Sequence, residues 1–258
     1  MPQTFVQPND IQNSHFVVRG REAHHLIHVL RKQVNDAVDL FDGTGHQYEG
    51  ILTDIQPQAP SASGHISKTL AIITKLHQIH LYQGLPKGSK FDFVIEKATE
   101  VGVDSITPFL SEKNVIRLRR GQVLSHQDLP PSLTPSHRQE RWQKVALAAA
   151  KQCGRADIPA LGSIFALKDL ENRFRSHPTL VLAPGAKQTQ LKSLFINLKE
   201  EWGTINVVVG PESGLSENEL KWFAAMDAHL VALGENILRT ETAGLILISI
   251  LRYEFNMF

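Results

Sequence analysis

The sequence predicts an α/β domain with a mainly parallel sheet, preceded by a small β-barrel. Two observations predict it. After Lys68, short apolar runs alternate with helical segments, as in strands joined by crossover helices. Before it, the chain reads mainly as β, with one short helix. The expected division is 1–71 and 72–258.

In the first part, Val38 to Gly43 reads as a strand ending in a turn, and Tyr48 to Thr53 as its hairpin partner. A short helix is expected at Glu22 to Leu30. Gln56 to Gly64 is rich in Pro, Ser and Gly, which predicts a loop. In the second part, Ile79 to Gln83 is a strand. Ser89 then opens a helix, with Asp92 as a partial capping box and Gly102 as its stop. Ser105 to Phe109 is the next strand, and a helix is expected from Arg138 to Gln152. Strands at Thr179–Ala183, Ile205–Val209 and His229–Leu233 then alternate with helices at Gln188–Trp202 and Glu217–Ala225, and a last helix starts near Glu241. Residues 121–137, with three prolines, read as a long loop, a length that is usually functional or disordered.

Composition excludes several classes. The single cysteine, Cys153, builds no disulfide framework and no zinc knuckle. His24 and His28 stand four apart on a helix but lack a third ligand, so no metal is expected. The N-terminus MPQTFVQPND has no basic and apolar leader pattern, and the longest apolar run, Ala243 to Leu251, is too short to span a bilayer. A cytoplasmic chain without membrane contact is expected. Charge is segregated. Ser111 to Arg155 holds nine Lys and Arg against three Asp and Glu, a net of +6, whereas Ile205 to Phe258 holds three against seven, a net of −4. A basic middle beside an acidic end suggests a surface for an anionic partner.

Three strand ends carry the chemistry. An apolar strand runs into Gly210-Pro211-Glu212-Ser213-Gly214-Leu215, and Ser216 with Glu219 spells a helix capping box. A second strand ends in Leu233-Gly234, followed by Asn236, Ile237, Leu238 and Arg239, with Thr240 placed to cap the last helix. A third ends in Leu182-Ala183-Pro184-Gly185. α/β proteins bind ligands at the carboxyl ends of their strands, and three adjacent loops make a crevice of nucleotide size. Neither a Walker phosphate loop nor a dinucleotide fingerprint occurs, so a ligand held by backbone and apolar walls fits better than a polyphosphate.

GPESGLSENEL and LGENILRTETA resemble the signatures of the SPOUT methyltransferases, and more narrowly the ribosomal small-subunit methyltransferase E family (RsmE). Lys87 to Phe109, Glu140 to Pro159 and His24 to Gly45 resemble further motifs of that family, in order along nearly the whole chain. Departures are Ser213, where the family usually has glycine, Asn236, where it has arginine, and Lys113-Asn114 in place of Arg-Ser. The lysine keeps the charge but loses bidentate phosphate contact.

The resemblance implies a PUA-like barrel followed by a domain with a deep trefoil knot, and a homodimer. The apolar stripe Leu245, Ile248 and Leu251 on the last helix suits either a dimer interface or core. It also implies S-adenosylmethionine as cofactor and N3 of a uridine in 16S rRNA of the small ribosomal subunit as target. The cofactor contacts would be Leu182, Ala183, Pro184, Gly210, Pro211, Glu212, Gly214, Leu233, Gly234, Asn236, Ile237, Leu238 and Thr242. Arg239 is the candidate to stabilise the uracil anion, and Glu241 or Glu212 to accept the proton. RNA would lie along Arg19, Arg31, Lys87, Lys90, Arg117, Arg119, Arg141, Gln152 and Arg155. Two rival readings share parts of this pattern: a SPOUT enzyme methylating a ribose 2′-hydroxyl, and a non-catalytic RNA-binding assembly factor.

Overall fold

The computed structural model describes residues 3–70, 75–113, 135–185, 191–198 and 202–257. Its contacts separate two compact units, Met1–Lys75 with Leu147–Ile158, and Leu76–Ala146 with Pro159–Phe258.

The first unit is a six-stranded sheet in the order β1-β4-β5-β6-β3-β2. Its strands are β1 (Thr4–Phe5), β2 (Ile11–Gln12), β3 (His15–Arg19), β4 (Ala37–Phe41), β5 (Gln47–Gln56) and β6 (Ser61–Thr69). Only β1 and β4 pair in parallel. The expected hairpin is β4–β5. The expected helix divides into α1 (Gly20–His24) and a π-helical turn (His25–Val29), which buries Leu26 in a core with Phe16, Val18, Leu40 and Leu52. The expected loop at Gln56–Gly64 shrinks to four residues, because Ser61 to Gly64 already belong to β6. The small residues that read as breakers are there for close approach: a Cβ on Gly64 would run into the Ile51 carbonyl and the Phe16 ring.

Asp157 ties the 147–158 segment into this unit. It bridges Gly43 and Thr44 through the backbone. Its carboxylate takes Arg155 Nε at 3.1 Å and Nη2 at 2.6 Å, and Lys75 Nζ at 2.6 Å. Burial alone would push this carboxyl up, but the guanidinium and ammonium outweigh burial and hold it at about 2. A carboxyl depressed in the folded state stabilises above its unfolded pKa, and that contribution is lost as pH falls toward about 2. Asp157→Asn is therefore expected to cost about 2 kcal/mol at pH 7, with the gap to the parent closing in acid. Urea melts at pH 7 and at pH 3 test this; an equal gap at both values would refute it.

The second unit is a seven-stranded sheet, β10-β8-β7-β12-β11-β13, with β9 also along β8. The strands are β7 (Gln78–Gly84), β8 (Ser105–Leu110), β9 (Ala160–Leu161), β10 (Phe165–Ala166), β11 (Thr179–Leu182), β12 (Thr204–Val209) and β13 (His229–Val231). Every pairing is parallel. The helices are α2 (Lys90–Val101), α3 (Pro135–Cys153), α4 (Glu171–Ser176), α5 (Leu191–Leu198), α6 (Glu217–Ala224) and α7 (Thr240–Glu254). The second half of α3 falls, by its contacts, in the first unit. Of the expected loop 121–137, residues 121–134 lie outside the described residues, and 135–137 already open α3.

β12 is buried at Ile205 and from Val207 to Val209, as a central strand covered on both faces must be. Three local expectations change. Ser89 makes no side-chain cap, and Asp92 instead pairs with Arg141. Thr240 is the first residue of α7 rather than its cap, and Arg239 holds the cap position. The Leu245–Ile248–Leu251 stripe is core at its last two positions: Ile248 and Leu251 are fully buried within the single chain. Among the described residues, no helix is long and apolar enough to cross a membrane, and no three His, Cys, Asp or Glu gather as a metal set.

Candidate active site

A cleft of about 590 Å³ opens at the carboxyl ends of β11 and β12 and at the start of α7. Leu182, Ala183 and Pro184 line it from the end of β11, and residues Val209 to Leu215 from β12 and its loop. Ile237 to Glu241 and Ala243 close it from the α7 side, with Lys90, Lys113 and Leu220 at its edges. The three strand-end loops named from the sequence thus meet at one place. Of the residues named with them, Leu233, Gly234, Asn236 and Thr242 do not line the cleft.

The Gly210–Ser216 loop is pinned from several directions. The Thr240 hydroxyl donates to the Gly210 carbonyl at 2.5 Å and accepts from Gln83 Nε2 at 2.8 Å. Gly84, the last residue of β7, lies against Pro211: a Cβ there would stand 2.5 Å from both Pro211 N and Cδ. Within the loop, the Gly214 amide donates to the Pro211 carbonyl at 2.8 Å, a turn that uses the left-handed backbone of Gly214 (φ 69). The expected capping box forms: the Glu219 amide donates to Ser216 Oγ at 3.0 Å, and the Ser216 amide to Glu219 Oε2 at 2.7 Å. Burial pushes the Glu219 carboxyl up, against the downward pull of the Ser216 and Glu112 amides.

The charged groups of the cleft are sorted. Lys90 Nζ lies 3.2 Å from Glu212 Oε1 and 3.8 Å from Glu241 Oε1. Burial favours the neutral Glu212, but its own amide, the Lys87 amide and the Lys90 ammonium prevail and hold the carboxyl below the usual range. Glu241 is largely enclosed, and its Oε2 is buried with no hydrogen-bond partner among the described residues. Arg239 is exposed at the helix entrance, and no described carboxylate pairs with it.

The residues named for RNA fare unevenly. Arg31, Lys87, Arg141 and Gln152 are exposed. Arg19 is exposed and lies 3.5 Å from Asp10. Lys90 is shared between the two cleft carboxylates. Arg155 differs from the others: its side chain is only 10% exposed and pairs with Asp157 inside the first unit. Arg117 and Arg119 lie outside the described residues. Sequence reading missed Gln83 and saw in Lys113 only a retained charge, because the partners that give each its place, Thr240 and the 213–215 carbonyls, sit a hundred or more positions away.

The family described as an RNA methyltransferase domain matches residues 74–252, and that described as an RNA methyltransferase PUA domain matches residues 18–62. The Ribosomal RNA small subunit methyltransferase E of Bacillus subtilis (strain 168) is 27% identical over 93% of this chain and 90% of its own length. The protein of that name from Buchnera aphidicola subsp. Acyrthosiphon pisum is 26% identical over 100% of this chain and 95% of its own. The crystal structure of a Ribosomal RNA small subunit methyltransferase E from Neisseria gonorrhoeae, bound to S-adenosyl methionine, superposes with a TM-score of 0.74 and 25% identity, covering 98% of this chain and 97% of that one.

Proposed function

This chain belongs to the RNA methyltransferase family, and from that premise we propose that it transfers a methyl group from S-adenosylmethionine to N3 of a uridine in the 16S rRNA of the small ribosomal subunit. The cleft at the strand ends carries the reading. Leu182, Val209, Leu215, Ile237 and Leu238 supply apolar walls for a flat heterocycle. Gly210 keeps backbone in close reach, since a Cβ there would stand 3.0 Å from the Leu215 amide. Leu182 to Pro184, Gly210 to Gly214 and Ile237 to Leu238 would hold the cofactor. When bound, S-adenosylmethionine supplies a methyl group already activated on a sulfonium.

The chain must then do two things. It must place N3 in line with the methyl carbon, an orientation effect. It must also take the N3 proton and steady the uracil anion. Arg239 suits the second task, being exposed on the cleft with no carboxylate among the described residues to neutralise it. Of the two acids, Glu241 is the better proton acceptor. Glu212 accepts from two amides and an ammonium and is held ionised, which makes it a weak base. Glu241 keeps one oxygen without a donor among the described residues.

Exposed Arg19, Arg31, Lys87 and Arg141 would contact phosphate and position the RNA, with Arg117 and Arg119 added from the basic segment. The target base would be unstacked into the cleft. The reading includes a trefoil knot closed by α7. It includes a homodimer through the α/β unit, for which half-buried Ile246 and Ile250 and exposed Tyr253 on α7 are candidate contacts. A ribosomal substrate would place the work in the cytoplasm.

The test uses purified protein, S-adenosylmethionine and small subunits from cells lacking the endogenous enzyme, with the digested rRNA read by mass spectrometry. 3-Methyluridine is expected. A 2′-O-methylated nucleoside would keep the family and overturn the target atom. Absence of both methylation and cofactor binding would favour a non-catalytic RNA-binding factor.

A further inference from the structure

The geometry points to Lys113 as a positioning residue that sets the shape of the cofactor cleft from its edge, by holding the carbonyls on both sides of Gly214. Lys113 stands three residues past the end of β8, and its Nζ donates to Ser213 O and to Leu215 O, each at 2.9 Å. Those carbonyls belong to the loop that lines the cleft, and Gly214 between them is in the left-handed region. Fixing both peptide planes fixes the turn.

Its neighbour acts on the next residues of the same loop. The Glu112 carboxylate accepts from Ser216 Oγ at 2.6 Å, and the Glu112 amide donates to Glu219 Oε1 at 2.8 Å. Two consecutive residues thus clamp the turn at 213–216. The ammonium of Lys113 has no carboxylate partner among the described residues, so its charge falls on the two carbonyls. Charge-assisted hydrogen bonds of this kind are about twice as strong as neutral ones. The lysine that keeps the charge where the family usually has arginine is thereby assigned to the chain's own backbone.

This inference rests on the reading of the cleft as the S-adenosylmethionine site, and the experiment separates the two. Calorimetry with S-adenosylmethionine is run on the parent, Lys113→Met and Lys113→Arg, alongside amide hydrogen exchange of the ligand-free proteins. Lys113→Met is expected to weaken binding about tenfold and to speed exchange at Gly214 and Leu215, because it keeps the length of the side chain and loses both donors. Lys113→Arg, which still offers two donors, is expected to stay within about threefold of the parent. If Lys113→Met does not fold, Lys113→Gln takes its place. A lower melting temperature with unchanged affinity and exchange would reduce Lys113 to ordinary packing and overturn the inference. If the parent itself fails to bind, the functional reading falls, while the exchange comparison still decides whether Lys113 holds the turn.

Discussion

Gly84→Ala leaves the protein folded and weakens S-adenosylmethionine binding by about a hundredfold or more. Gly84 ends β7 with no room for a methyl group, since the added carbon would stand 2.5 Å from Pro211 N and Cδ and 2.9 Å from Gly210 C. None of these atoms is the free end of a flexible side chain: they are backbone and a proline ring. The loop must therefore move, by something near an ångström, to restore ordinary contact. A displacement of that size at a site that positions reacting groups costs about 10²-fold in rate, and a loss of the same order is expected in the affinity for a cofactor held by that loop. Overpacking of this kind destabilises a fold by about 1–3 kcal/mol, which lowers the melting temperature without unfolding the chain. Calorimetry beside a thermal melt decides it; affinity within threefold of the parent would show that the loop position does not govern the cleft.

Arg239→Ala lowers kcat by about 10²–10³ and leaves the cofactor affinity within about threefold. Removing a group that stabilises charge developing in the transition state has an effect of that size, and Arg239 has no ion pair among the described residues whose loss would confuse the result. Raising the pH supplies a second readout. If the arginine steadies the N3 anion, the variant regains part of its rate in alkaline solution, where N3 loses its proton unaided. Single-turnover methylation of small subunits across a pH series measures both. A kcat within fivefold of the parent at neutral pH would remove Arg239 from the chemistry.

What the sequence discloses here depends on the distance between partners. The Ser216–Glu219 capping box was legible because both halves lie within four residues and each bonds to the other's backbone. The apolar run at 205–209 was legible because a strand buried on both faces needs nothing but side-chain type. Asp92 sits in the same register from Ser89 as Glu219 does from Ser216, yet pairs with Arg141, a partner that only the tertiary fold supplies. Ser61 to Gly64 carried the composition of a loop, and it took the neighbouring strand and the Phe16 ring to make the missing side chains a packing requirement. At the candidate site the strand-end loops could be named in advance. Gln83 and Lys113 hold those loops in place and could not, because each acts on backbone or hydroxyl atoms a hundred or more positions away.

The hydroxyl of Thr240 joins Gln83 to Gly210 across 157 and 30 positions of chain. Contacts of such separation are the slow ones to form, because the entropy of closing long loops is lost before the contact gives anything back. The cleft is consequently a late product of folding, finished only when the first strand of the parallel sheet and the last helix have found their places. A ligand that binds only the finished cleft then favours the completed fold as a whole, by an amount that grows with the logarithm of its concentration. In a cell rich in such a ligand, newly made chains would be drawn toward the native state by the same molecule they later consume.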